Sequence, residues 1–134
     1  AGASCQGIRA GDQLELGNAE AAVIYPGDEE TVTEPNAGSL VLCWEWAGVR
    51  TLFTGDLPEE KERELLQKLP ACEILQVGHH GSATSTCQEF LDRVQPSLAV
   101  ISCALTNRYG HPAESIMSVA NLPIRPRHIQ MWDP

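Results

Sequence analysis

The sequence predicts an α/β fold on three observations. Up to residue 56 it is built of short apolar or alternating runs separated by Gly, Pro and Asn, the punctuation of strands and turns. From residue 49 strand-type runs alternate with amphipathic helical ones, the order of βα units whose strands run parallel through helical crossovers. The residues equipped for chemistry, Asp56, His79, His80 and His111, each follow the end of a strand-type run, on the edge where open α/β sheets assemble their sites.

Strands are expected at 13–16, 21–25, 39–46 and 49–54, with 26–38 an acidic, turn-rich loop. Ala47-Gly48 joins the last two as a hairpin, and the run 40–46, apolar at both even and odd positions until Glu45, reads as a strand covered on both faces. A helix follows at 58–69, with Leu65, Leu66 and Leu69 as its apolar stripe and Glu and Lys on its other faces. Next come a strand at 73–77 and a helix at 85–94, striped by Phe90, Leu91 and Val94 and stopped by Pro96. A strand at 98–102 leads through Asn107 to His111 into a helix at 112–120 with Pro in its first turn, and 127–132 is the last strand candidate. The organisation is one partial domain over 1–134, mainly β over 10–56 and βαβ with motif loops over 57–134.

At 134 residues the chain has the size of one domain and can bury a core. Nine Lys and Arg against eighteen Asp and Glu give a formal charge of -9, so broad binding to a phosphate backbone needs help from cations or another surface and any nucleic-acid contact must be argued from a specific site. Five cysteines, widely spaced and without a CxxC pair, read mainly as small buried apolar residues. No apolar stretch reaches the roughly 18–20 residues that cross a bilayer, and the start has no signal-peptide layout, so the chain itself reads as soluble. It begins without Met and ends abruptly after a strand-type run, and reads as a segment of something longer.

Asp56 has two readings: N-cap of the following helix with Glu59 completing a capping box, or a hard oxygen ligand able to bridge two cations. The His pair lies between Gly78 and Gly81, which permit close backbone approach, and imidazole suits zinc and similar metals. Adjacent side chains diverge, so one of the pair is the ligand and the other orients it or meets substrate; His79, nearer the strand, is the first choice. His111 either begins a helix before Pro112 or serves as a proton donor or phosphate contact. Arg108 and Tyr109 offer charge and hydrogen bonds or are solvated loop residues, and Ser85 is a candidate helix cap with Gln88 at the third helical position.

The segments SLVLCWEWAGVRTLFTGD, EILQVGHHGSATST, VQPSLAVIS and NRYGHP, in this order, resemble the metallo-β-lactamase-like domain at the C-terminal end of ComEC-type competence proteins, the DNA-uptake channels of bacteria. The resemblance extends over roughly residues 10 to 125. It implies an αββα sandwich, of which this chain is the second half, with one or two divalent ions, zinc or manganese, in the complete domain and phosphodiester hydrolysis as its activity. Asp56 matches the bridging carboxylate, His79 the late His ligand with His80 as the close alternative, and His111, with His80, the substrate-facing side. The metal motif HxHxDH of the superfamily is absent, the four histidines standing at 79, 80, 111 and 128. The resemblance therefore implies a chain that binds metal weakly or not at all and is inactive alone.

Its expected partners are the missing N-terminal half of the domain and the membrane channel, with DNA as the substrate of the parent and a homodimer through exposed apolar surface as a further expectation. The parent would sit in the bacterial cell membrane with this domain extracytoplasmic, degrading the strand that is not imported. Two other readings compete: a non-catalytic interaction module that keeps the fold, and an unrelated nucleotide-binding α/β domain with Asp56 a cap and the His pair incidental.

Overall fold

The computed structural model describes residues 2–28, 34–104 and 106–119. Among these, six strands form one mixed sheet in sequence order: β1 (Gln13–Leu16), β2 (Ala19–Tyr25), β3 (Val41–Trp46), β4 (Val49–Phe53), β5 (Ile74–Gln76) and β6 (Leu98–Val100). β1 to β4 pair antiparallel and β4 to β6 parallel, as the change of texture at residue 49 predicts. The helices α1 (Glu59–Leu65) and α2 (Gln88–Val94) make the two crossovers, and α3 (Glu114–Val119) follows β6. The strand candidate at 127–132 and His128 lie outside the described residues.

Both hairpin turns have two residues. Ala47 (φ 51°) and Gly48 (φ 78°) are both left-handed, the geometry whose twist matches the flanking strands, and Gly17 (φ 68°) opens the turn between β1 and β2. A register shift between Val23 and Tyr25 moves Tyr25 opposite Val41, so its ring enters the core and its hydroxyl donates to the Ala37 carbonyl at 2.8 Å. Ala37 belongs to a short 3₁₀ turn at Pro35–Gly38, inside the segment expected to be loop.

Val41, Cys43, Leu52 and Leu75 share the face that α1 and α2 cover, and Leu57, Leu65, Leu69, Phe90, Leu91 and Val94 complete one core with them. Leu52 and Leu75 are fully buried, and truncating either to Ala would cost roughly 2–5 kcal/mol. The other face is different. Leu16, Trp44, Trp46, Val49, Leu98 and Val100 lie on it by register and are exposed, Trp46 by 62%. The expectation that the third strand is covered on both faces is thus corrected among the described residues: on this side Ala19, Ala21 and Val23 of β2 are buried, whereas Trp44 and Trp46 of β3 and Leu98 and Val100 of β6 are left exposed.

Both major helices are shorter than expected. In α1 the Leu66 N–H donates to the Arg63 carbonyl, tightening the last turn, and 66–69 continues as turns that still deliver Leu69 to the core. Glu62, one of the charged residues off the apolar stripe of α1, is nevertheless fully buried. α2 starts at Gln88 rather than Ser85, because Thr86 has φ 60° and Cys87 is extended. The Ser85 hydroxyl does not cap α2; it donates to the Leu57 carbonyl at 2.7 Å. Three cysteines, Cys43, Cys72 and Cys87, are buried as expected, whereas Cys5 is exposed and Cys103 half-buried. Burial pushes the Cys72 and Cys87 thiols up to about 11, which keeps them protonated and unreactive at neutral pH.

Candidate functional site at the strand ends

The three parallel strands end on one edge, and their following loops are tied together. After β4 the chain turns through Gly55 (φ 57°), where an added Cβ would lie 3.1 Å from Ser39 Cβ, and the Asp56 N–H donates to Ser39 Oγ at 3.1 Å. The N-cap of α1 is Pro58 and no side chain caps it, so Asp56 is not the helix cap that its position before Leu57-Pro58-Glu59 offered as one reading. Its carboxylate is 39% exposed and faces the second loop.

That loop is the turn Gly78–Gly81 after β5. Gly78 is set so tightly that a Cβ would meet Thr54 Oγ1 at 3.2 Å and Ser85 Cβ at 3.3 Å. His79 (φ 49°, ψ 43°) and His80 (φ 56°, ψ 23°) are consecutive left-handed residues, a conformation costing about 1–2 kcal/mol apiece for L side chains. The His79 N–H donates to the Gly55 carbonyl at 2.9 Å, locking this loop to the first. Gly81 (φ 82°) packs on the third loop, where a Cβ would lie 2.8 Å from Pro112 Cβ, and its carbonyl accepts the Ala113 N–H at 2.8 Å.

His80 reaches across all three loops. Its Nδ1 is 2.8 Å from the Ser102 carbonyl beyond β6, and since a carbonyl only accepts, Nδ1 carries the proton. Its Nε2 lies 3.7 Å from Asp56 Oδ1. An imidazole that donates Nδ1–H to a backbone oxygen and leaves Nε2 with its lone pair is the arrangement found behind histidine metal ligands, and here Asp56 lies on the Nε2 side. His79 points elsewhere, its ring centroid 6.1 Å from that of His111. The structure thus pairs Asp56 with His80 and His79 with His111.

The third loop is organised by Asn107. Its Oδ1 accepts the N–H groups of Tyr109 (3.1 Å) and His111 (2.9 Å), and its Nδ2 donates to the carbonyls of Ala104 (3.0 Å) and His111 (2.7 Å). The His111 ring is stacked against Tyr109 at 5.7 Å and 18°, and the Arg108 guanidinium lies 4.8 Å from the Tyr109 ring centroid. His111 Nδ1 and Thr54 Oγ1 are buried without a hydrogen-bond partner. Asn107, a turn residue two positions before Tyr109 and four before His111, carried a readable Asx-turn signal; Ser39 and Ser102, brought in from distant segments, carried none.

A buried carboxylate supports the His pair from behind. Glu62 Oε1 accepts the Thr86 N–H at 2.7 Å and Oε2 the Cys87 N–H at 2.9 Å, capping α2 from α1. Thr86 Oγ1 in turn accepts the Gly78 N–H at 3.1 Å. Burial pushes the Glu62 carboxyl above its usual range, and the two backbone N–H groups pull it part of the way back.

Among the described residues no group of three or more His, Cys, Asp or Glu side chains is placed to hold a metal ion. Asp56 and His80 are suitable in kind for a divalent ion and fall short of the roughly four ligands of tetrahedral zinc. No helix among the described residues is long and apolar enough to cross a membrane.

Sequence comparison finds relatives. The chain is 35% identical over 120 residues to ComE operon protein 3 of Bacillus subtilis (strain 168), covering 88% of this chain and 15% of that protein. It is 35% identical over 98 residues to competence protein ComA of Neisseria gonorrhoeae, covering 71% of this chain and 14% of the relative. Recombination protein 2 of Haemophilus influenzae Rd is 37% identical over 82 residues, 61% of this chain and 10% of that protein. The chain therefore spans only about a seventh of the first two proteins it matches. No protein-family model matches it. A solved structure of a protein of unknown function from Enterococcus faecalis V583 aligns over 55% of this chain and 17% of that one with a TM-score of 0.40 and 18% identity, a likeness too slight to argue from.

Proposed function

We propose that this chain is the C-terminal half of a metal-dependent phosphodiesterase or nuclease-like domain, of metallo-β-lactamase-like αββα architecture, that serves DNA uptake in natural competence. The observation that carries the chemistry is His80, tied through Nδ1 to the Ser102 carbonyl and presenting Nε2 3.7 Å from Asp56 Oδ1. The similarity to competence protein ComA and to ComE operon protein 3 supports the biological setting.

In this reading the complete domain holds one or two divalent ions, zinc or manganese, and this chain contributes Asp56 and one or both of His79 and His80. Such an ion supplies Lewis acidity and a water of lowered pKa for attack on phosphorus. The remaining ligands come from residues outside 1–134, in the half that covers the sheet face bearing Trp44, Trp46, Leu98 and Val100. Without that layer a second copy of the chain is the available cover. The chain's own contribution is positional. Ser39 and the Gly55 turn aim Asp56, Ser102 fixes the His80 tautomer, and His111, held between Tyr109 and His79, faces the substrate.

A non-catalytic interaction module is the second reading, favoured by the small number of converging ligand-type side chains among the described residues. Cleavage separates the two. With the upstream residues of the parent restored, the domain is expected to cut single-stranded DNA in the presence of manganese or zinc, and Asp56→Ala and His80→Ala are each expected to abolish cutting. Absence of cleavage by the restored domain would favour the interaction module, and full activity in both variants would remove Asp56 and His80 from the reacting site.

A further inference from the structure

We infer that Tyr109, together with Arg108, is a stacking platform for a base of single-stranded nucleic acid at the mouth of the Asp56–His80 site, an inference that rests on the phosphodiester reading above. Tyr109 is the most exposed large apolar side chain among the described residues, 64% accessible, and it takes no part in the core. It is nevertheless held in place. Asn107 fixes its backbone, the His111 ring stacks on it at 18°, and the Arg108 guanidinium both lies against its ring and donates to its hydroxyl. An exposed aromatic ring held by these contacts presents a π surface beside a cation, and each contact lowers the entropic cost of binding.

The position gives this surface its meaning. Tyr109, His111 and His79 form a continuous series of rings that leads from solvent to the turn bearing His80. A nucleotide whose phosphate is held at Asp56 and His80 through the divalent ion of the complete domain would place a neighbouring base toward the outer end of that series. The charge balance favours stacking as the means of holding it. With a formal charge of -9 the chain gains little from general attraction to phosphate, whereas base–aromatic stacking does not depend on net charge and tolerates any base.

The test is an NMR titration, in the presence of zinc, of the isotope-labelled chain extended upstream with an oligothymidylate of about eight nucleotides, within the usual range of single-strand sites, and with an abasic oligomer of equal length. Tyr109 ring signals are expected to move with the first oligomer and not with the second. Tyr109→Ala is expected to weaken oligothymidylate binding about tenfold, while Tyr109→Phe stays within about twofold of the parent. Equal Tyr109 shifts with both oligomers, or undiminished affinity in Tyr109→Ala, would overturn the platform. Shifts at His80 and Arg108 with both oligomers and none at Tyr109 would overturn it while leaving the phosphodiester reading intact. No shift at any residue around Asp56 with either oligomer would count against both.

Discussion

His79 and His80 hold their left-handed conformations because the surroundings over-determine them. Gly78 is gripped by Thr86 Oγ1 through its N–H, the His79 N–H by Gly55, and the Ser82 N–H returns to the His79 carbonyl at 2.9 Å. Strain held in this way at the end of a parallel strand is characteristic of functional turns. Glu62 is the remote anchor of this arrangement, and its ionisation has a measurable consequence. Its carboxyl is raised by burial more than its amide partners lower it, so the folded state binds the proton more tightly than the unfolded chain, whose value is about 4.3. The stabilisation from that proton is complete below the unfolded value and is lost as pH rises through the higher folded value. Urea unfolding of the parent chain and of Glu62→Gln across weakly acidic pH is expected to show the parent losing ground to the variant as pH rises. A stability difference that stays constant or grows with pH would contradict this account of Glu62.

The β3–β4 hairpin turns on two left-handed residues, one of which is Ala47. A glycine there carries no Cβ penalty, and Ala47→Gly is expected to stabilise the chain by about 0.5–1 kcal/mol in chemical denaturation, the relief of the left-handed alanine outweighing the added freedom of the unfolded chain. A destabilised variant would mean that Ala47 makes contacts worth more than its strain. This hairpin was legible in Ala47-Gly48 between two apolar runs, as were β1 and the alternation of strands and helices from residue 49, because turn chemistry and apolar periodicity are local properties. The start of α2 was not legible. It depends on a carboxylate 24 residues earlier in the chain, which takes over the capping that Ser85 was expected to supply. The uncovered face of β3 was equally hidden, since Leu42, Trp44 and Trp46 read as core residues whether or not anything lies over them. Within the site, the strand-end positions of Asp56, the His pair and His111 were readable, but their pairing was not, because it follows from backbone angles that only the folded turn imposes.

At the scale of the whole molecule, a well-packed core on one side of the sheet coexists with exposed apolar side chains on the opposite face, and Asp56 and His80 stand together without a third metal-type ligand among the described residues. Under the proposed function both features have one explanation, a second structural layer contributed by sequence outside 1–134 that would cover the face and complete the site. The relatives are long enough to contain it, since the matched region is 15% of ComE operon protein 3. The most direct measurement is calorimetric titration of manganese and zinc into this chain and into the same chain extended upstream. Weak binding or none is expected for the chain alone and tight binding for the extended form, with Asp56→Ala and His80→Ala each weakening the latter by about 10–100-fold or more. Equal affinity in the two forms, or an extended form indifferent to both substitutions, would contradict the claim that these strand ends are half of a metal site.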